Sequence, residues 1–302
     1  MSLIERAIDK LGATPPAAPA RVEPAAPAAG ATLERAAPRT PPRAPEPPAP
    51  QAPPLQLDLD ALRERGFATP DGANAAASGE FRVIKRPLIA NAFGPDASGR
   101  PNARRVMVTS SLPGEGKSHC AINLALSIAA ERDHQVLLVD ADVAKPSIAR
   151  HLGVQMGAGL MDWLLDGGPD LGALVRPTSV DRLSILPAGR RDEQATELLA
   201  SAAMGRLLEA LAERYPDRIV VFDSPPLMVT TEARVLASYM GQVVMVVEAG
   251  RTPREVVDEA LGMLPREQVV GLVLNKSRRG AAGGYYGSYY GYGDAAYGAS
   301  RD

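Results

Sequence analysis

A glycine-rich turn between an apolar strand and a helix constrains the fold of this chain more than any other feature. The run RRVMVTSS (104–111) leads into SSLPGEGKS (110–118). Residues 117–132 then carry Ile122, Ala125, Leu126 and Ala129 on one side of a helix. Gly114 and Gly116 let backbone N–H groups converge on phosphate oxygens, because no Cβ blocks the approach. The positive end of the following helix points at the same place. In that setting Lys117 reaches the β- and γ-phosphates and Ser118 ligates Mg²⁺. The phosphate-binding set is thus Gly114, Glu115, Gly116, Lys117, Ser118 and His119. The pattern departs from the common form only at its first position, where Ser111 replaces glycine.

Five further apolar runs follow: QVLLVDAD (135–142), LSILPAG (183–189), RIVVFDSPP (218–226), QVVMVVEAG (242–250) and VVGLVLNKS (269–277). They are continuously apolar rather than alternating, as a sheet covered on both faces requires. Alternation with helical segments, such as 204–215, predicts an α/β fold with a doubly wound, mostly parallel sheet of the P-loop NTPase kind. Ligands of such sheets sit beyond the carboxyl ends of the strands. Asp140 and Asp142 stand at the end of the second run, and Asp223 at the end of the fourth. Each alone reads as a helix cap or turn acid. Three at the switch point of a P-loop sheet read as partners of Mg²⁺ and the phosphates.

Composition divides the rest. Half of the 28 prolines fall in residues 13–54, and the segment 13–78 reads as a disordered Pro/Ala-rich linker. Before it, Leu3, Ile4, Ala7, Ile8 and Leu11 mark a short amphipathic helix over 1–12. The globular domain is expected over 79–279. From 280 to 302 the chain is Gly/Tyr-rich and expected to stay flexible, with Tyr285, Tyr286, Tyr289, Tyr290, Tyr292 and Tyr297 among its eight tyrosines. Exposed phenols beside a nucleotide site suggest an enzyme that phosphorylates tyrosine, with its own tail as substrate. A net charge of -2 gives no field that argues for nucleic acid. The single cysteine, Cys120, excludes an internal disulfide and fits a reducing, cytoplasmic compartment. Cys120 reads as packing and the His119 ring as a solvated helix residue. No apolar run is long enough to span a membrane, and no secretory signal opens the chain.

The loop GEGKS, the segment VDADVAKPS, the segment VVFDSPP and the tyrosine tail together resemble the bacterial tyrosine kinases of exopolysaccharide synthesis, a branch of the MinD/ParA-like group of P-loop proteins. LPAGRRDEQATELLAS fits the same family. The opening MSLIERAIDKLG and EFRVIKRPLIANAFG (80–94) resemble its exosortase/PEP-CTERM-locus subgroup. The resemblance implies ATP and Mg²⁺ as cofactors. It implies Lys117, Asp140, Asp142 and Asp223 as catalytic residues, and Ser118, Asp140 and Asp223 as the metal set. Asn275 would meet the adenine edge. It further implies autophosphorylation between subunits of a homo-oligomer, a separate membrane activator of the chain-length-determinant kind, a phosphotyrosine phosphatase, and peripheral association with the inner membrane through that partner. Two departures stand out. Lys145 replaces the arginine usual before proline in the second motif. The oligomer motif Glu-x-x-Arg-x-x-Arg is incomplete, with Arg82 and Lys85 in step but Glu80 one place off.

Two rivals share these features. A positioning ATPase of the MinD/ParA type carries an extra lysine early in the loop, where this chain has Leu112, and lacks a tyrosine tail. A non-catalytic, nucleotide-gated scaffold would use the tail as a binding strip, yet Lys117, Ser118 and the acids are all present.

Overall fold

The computed structural model describes residues 53–277, apart from 73, 96, 101, 168 and 169. The expected N-terminal helix, the linker up to residue 52 and the tyrosine tail lie outside the described residues.

Seven strands form one sheet in the order β3-β4-β2-β5-β1-β6-β7. They are β1 Arg105–Ser110, β2 Gln135–Asp140, β3 Arg176–Pro177, β4 Leu183–Leu186, β5 Arg218–Asp223, β6 Gln242–Glu248 and β7 Val269–Asn275. Every pairing is parallel except that of β3 with β4. The chain-order reversal beside β1 places the end of that strand at the centre of the sheet, where a ligand crevice is expected. Side chains of successive strand residues point to opposite faces. Val106 and Val108 pack with Ile122, Leu126 and Ile128 of the P-loop helix, Lys117–Ala129, on one face. Met107 and Phe222 pack with Leu207, Leu208 and Leu211 of the helix Ala202–Arg214 on the other. Apolar burial on both faces, at about 25 cal/mol per Å² removed from water, is what holds the central strands in place.

The expected linker ends too late. Residues 53–72 and 74–78 are part of the fold. Leu55 donates its N–H to the Pro177 carbonyl at 2.8 Å and accepts from Ser179 N at 2.8 Å, so the chain here runs alongside the β3–β4 turn. Leu57 N donates to Ser179 Oγ at 2.9 Å, and Ala68 N to Asn123 Oδ1 at 2.6 Å. Asp58 caps a short helix, Leu59–Glu64, and Asn74 caps the long helix Ala75–Phe93. Leu55, Leu57, Leu62 and Phe67 are buried against the P-loop helix layer. The proline run stops at Pro54; beyond it four large apolar side chains find a core, and their burial outweighs the flexible composition around them.

The expectation of strands buried on both faces fails at β7. It is the edge strand, and Val270, Leu272 and Leu274 are exposed among the described residues. No helix among the described residues is long and apolar enough to cross a membrane.

Candidate active site

The loop 111–116 leaves β1 and turns into the P-loop helix through two glycines with positive φ, Gly114 at 86° and Gly116 at 100°. Gly116 is required twice over. Its φ disfavours any side chain, and a Cβ there would lie 2.2 Å from Asn275 Nδ2. Asn275, at the end of β7, donates Nδ2 to the Glu115 carbonyl at 2.8 Å. One of its two amide N–H donors is therefore engaged with the loop, and the second donor and Oδ1 remain for any adenine contact.

Glu115 is buried, and its carboxylate closes the loop from behind. Oε2 accepts from Leu112 N at 2.6 Å, while Oε1 accepts from Glu248 N and from the Thr252 hydroxyl. Lys276 Nζ donates to the Gly114 carbonyl at 2.6 Å and to Glu248 Oε2 at 3.1 Å. Within the loop, Glu115 is thus a positioning residue: its side chain is consumed by the protein, and only its backbone remains to meet a phosphate. The sequence pointed to Glu115 without this clamp, and gave Glu248, Thr252 and Lys276 no role in the site. The signal available was a carboxylate inside a loop meant for anions, which must find donors elsewhere.

Lys117 and the three acids converge. Lys117 Nζ donates to Asp142 Oδ2 at 2.7 Å, lies 4.0 Å from Asp223 Oδ1, and is 3.5 Å from Ser118 Oγ. Asp223 ends β5 and Asp140 ends β2, side by side in register. Asp142 lies past the strand, in a turn where its Oδ1 accepts from Lys145 N at 3.2 Å. The turn, not strand alternation, aims Asp142 at the lysine. Lys145 itself is exposed. Asp140 Oδ2 accepts from Ser147 N and Ile148 N, both at 3.1 Å, at the start of the short helix Ile148–Leu152.

No well-formed hydrogen bond reaches the remaining carboxylate oxygens, although the Ser118 hydroxyl lies close enough to Asp223 to favour its ionised form. Asp140 Oδ1 and both oxygens of Asp223 are buried and unsatisfied. Burial pushes Asp223 up to about 7, against the pull of the Lys117 charge and with the repulsion of Asp140. Burial likewise raises Asp140 to about 6, opposed by its bond from Ile148 N and reinforced by the charge of Asp142. Unsatisfied buried carboxylates of this kind call for a cation. No set of three or more His, Cys, Asp or Glu side chains able to hold a metal occurs among the described residues. A hard divalent ion here would complete its shell with Ser118, water and phosphate oxygens, as Mg²⁺ at phosphate sites does. The residues therefore fit a phosphate-bound Mg²⁺.

His119 departs from expectation. It is not a solvated helix residue: its ring packs on Phe67, with centroids 4.5 Å apart, and burial lowers its pKa. Its side chain thus joins the N-terminal segment, leaving only its backbone beside the phosphate loop. Cys120 is buried, with its thiol pushed up to about 12 by desolvation, as a packing residue should be. Lys85 of the incomplete oligomer motif is buried, 2.6 Å from Glu131 and bonded to the Ser127 carbonyl. That side chain is committed within its own fold. The six tail tyrosines lie outside the described residues.

Comparison with known proteins agrees with this geometry. A family model described as ParA, NUBPL iron-transfer P-loop NTPase, matches residues 102–277. The chain is 32% identical over 201 residues to the tyrosine-protein kinase CpsD of Streptococcus agalactiae, a match spanning 65% of this chain and 84% of that protein. It is 31% identical over 189 residues to the tyrosine-protein kinase YwqD of Bacillus subtilis (strain 168), spanning 61% of this chain and 78% of YwqD. Among solved structures, the VpsO kinase domain superposes with a TM-score of 0.56 at 32% identity, covering 67% of this chain and 96% of that one. The chain belongs to the bacterial tyrosine-protein kinases, built on the ParA-type P-loop NTPase fold. The exosortase/PEP-CTERM subgroup suggested by the sequence is a finer assignment that these matches leave open.

Proposed function

We propose that this member of the family is an ATP-dependent protein-tyrosine autokinase that phosphorylates its own cluster at Tyr285, Tyr286, Tyr289, Tyr290, Tyr292 and Tyr297. The observation that carries the reading is the crowding of Lys117, Ser118 and three buried acids behind a glycine loop, with three carboxylate oxygens left unsatisfied.

In this reading Gly114, Gly116 and the start of the P-loop helix hold the phosphates through backbone N–H groups. Lys117 exchanges its ion pair with Asp142 for the β- and γ-phosphates, which frees the Asp142 carboxylate. A tyrosine O–H has a reference pKa near 10 and must lose its proton during attack. Asp142 accepts it; the phenol oxygen bonds the γ-phosphorus, the bond to the bridging oxygen breaks, and ADP leaves. Ser118, Asp140 and Asp223 would hold Mg²⁺, which would supply charge neutralisation of the phosphates. Asp223 and Asp140 need no proton exchange for that role; their task is to stay ionised against it. Positioning and electrostatics thus supply the catalysis, with no covalent protein intermediate.

The cellular role follows the relatives. ExoP of Rhizobium meliloti (strain 1021), a succinoglycan biosynthesis transport protein, matches at 33% identity over 205 residues, but this chain spans only 26% of it. We assign this chain a part in exopolysaccharide synthesis or export, working in the cytoplasm with a separate membrane activator, other copies of itself and a phosphotyrosine phosphatase. The iron-transfer activity named for the matching family model finds no support in these residues: with one cysteine, the chain lacks the thiolates that hold an iron–sulfur cluster.

The test is mass spectrometry of the purified chain after incubation with Mg²⁺ and ATP. Phosphate is expected on the tail tyrosines of the wild type, with a loss on the order of a hundredfold or more in the Lys117→Met chain. ATP turnover without phosphotyrosine would overturn the reading in favour of a nucleotide switch.

A further inference from the structure

At the amino ends of β1 and β5, on the far side of the sheet from the phosphate loop, lies a cavity of about 230 Å³. Its wall carries four arginines, Arg100, Arg104, Arg105 and Arg218, and no acidic residue lines it. Its lining also includes apolar Leu208, Leu211 and Phe222, and Tyr215. The six-residue strands put this cavity roughly 17 Å from the acids at their other ends.

The arginines are held in place but not neutralised. Arg105 donates to the carbonyls of Tyr239 and Leu208 at 3.4 and 3.3 Å, Arg104 to that of Pro216, and Arg100 to Asn91 Oδ1 at 2.6 Å. Arg218 donates to Ser184 Oγ at 3.1 Å and stacks its guanidinium 4.2 Å from the Tyr215 ring centre. Its Nε is buried without a hydrogen bond, and its nearest acid is Asp217, at 3.9 Å on a half-exposed side chain. The hydrogen bonds of Arg104 and Arg105 go to backbone carbonyls. Exposed Glu209 is the one acid whose charge bears on Arg105. Partial burial lowers the pKa of both Arg105 and Arg218, the sign of positive charge held short of solvent and counter-charge. Neutral carbonyls fix the forks without cancelling their charge, so an anion entering the cavity meets preorganised donors.

We propose that this cavity is a binding site for phosphotyrosine, taking the phosphorylated tail of this chain. The inference rests on the autokinase reading for the source of the ligand. The chemistry matches in both halves: guanidinium forks suit a phosphate, and the apolar lining and Tyr215 suit a phenyl ring. Volume decides against a whole nucleotide, since sites for drug-sized ligands run from about 300 to 1,000 Å³. A tail of glycine, serine and alanine between its tyrosines lets one ring enter without neighbouring bulk. Tyr285 lies ten residues beyond Asn275, a span of at most about 35 Å, so the tail of the same chain and that of a second copy are both sources of the one ligand.

The test uses the full-length Lys117→Met chain, whose own tail stays unmodified, and a labelled synthetic peptide of residues 283–293 carrying phosphate on Tyr289. Fluorescence anisotropy is expected to show binding of the phosphopeptide at least about tenfold tighter than of the plain peptide. Arg104→Ala and Arg100→Ala should each weaken it by about tenfold, and Arg104→Lys should restore only part, because a lysine cannot make the paired contact. Thermal melts of the variants confirm that they remain folded; Arg100, exposed on the rim, provides the variant with least structural burden. Equal binding of the two peptides, or arginine variants that bind as the parent does, overturns the proposal. So does AMP displacing the phosphopeptide more tightly than free phosphotyrosine does. In wild-type chain phosphorylated to completion, sedimentation then separates the sources: concentration-dependent dimers mean a second copy's tail, monomers the chain's own. Because the phosphotyrosine is synthetic, a failed docking experiment leaves the kinase reading standing, and a failed kinase assay leaves the docking result intact.

Discussion

β1 and β5 bury opposite charges at their two ends. At the carboxyl ends, Asp223 and its neighbours Asp140 and Asp142 share one lysine, and three carboxylate oxygens lack a well-formed hydrogen bond. At the amino ends, Arg105 and Arg218 lie among neutral carbonyls and hydroxyls. Both ends sit close to the same apolar layers, yet they manage charge differently. The acids raise their own proton affinity and wait for a cation. The arginines cannot give up a proton and so stay charged, with their forks fixed by backbone oxygen. A buried charge short of counter-charge specifies a ligand, and its sign tells which.

The comparison breaks most visibly at Asp223. Asp223→Asn keeps the shape but removes the charge that the metal needs, and phosphoryl transfer measured by tail phosphotyrosine should fall on the order of a hundredfold. The same variant probes stability. Asp223 carries a folded-state pKa of about 7 against 3.8 unfolded, so its contribution is complete below pH 3.8 and lost as pH rises through about 7. The melting midpoint of nucleotide-free wild type should therefore fall between about pH 4 and pH 7, and Asp223→Asn should flatten that slope. An unchanged slope would mean the acid is better satisfied than its geometry indicates.

A smaller effect sharpens the contrast. In the proposed metal site protons and Mg²⁺ compete for Asp140 and Asp223, so Mg²⁺–ATP affinity, read by calorimetry, should weaken by up to about tenfold per pH unit between pH 7 and pH 6, where one acid protonates, and more steeply below pH 6, where both do. The arginine end should show no such titration. The smallest change is expected there: Arg105→Met keeps the stem, loses two long hydrogen bonds and removes an uncompensated charge. The opposing terms should leave stability within about 1 kcal/mol of wild type in denaturant melts.

Much of this was legible in the sequence, for local reasons. The apolar runs at 104–111, 135–142 and 218–226 became β1, β2 and β5, because continuous burial leaves little freedom to do otherwise. Lys117, Ser118, Asp140, Asp142 and Asp223 could be named together because loop and strand ends bring them together by short-range geometry. What escaped depends on distant partners. Leu55, Leu57 and Phe67 lack any period, and their partners are distant in the chain: Pro177 for Leu55, Ser179 for Leu57 and His119 for Phe67. The two-residue β3 exists only by pairing with β4. The exposed β7 carries the same apolar letters as a central strand, and only its edge position distinguishes it. Glu115 and His119 were noticed as loop residues, but their side-chain roles are set by Thr252 and Phe67, one far downstream and one far upstream.

The contact between Gly116 and Asn275 has a consequence in time as well as in space. The phosphate loop is laid down early in synthesis, whereas the asparagine and lysine that brace it belong to the last described stretch of the chain. A nascent polypeptide still short of residue 275 holds the loop without its brace. A chain cut before β7 is therefore expected to bind nucleotide poorly, so a truncated product should be born inert rather than wasteful of ATP.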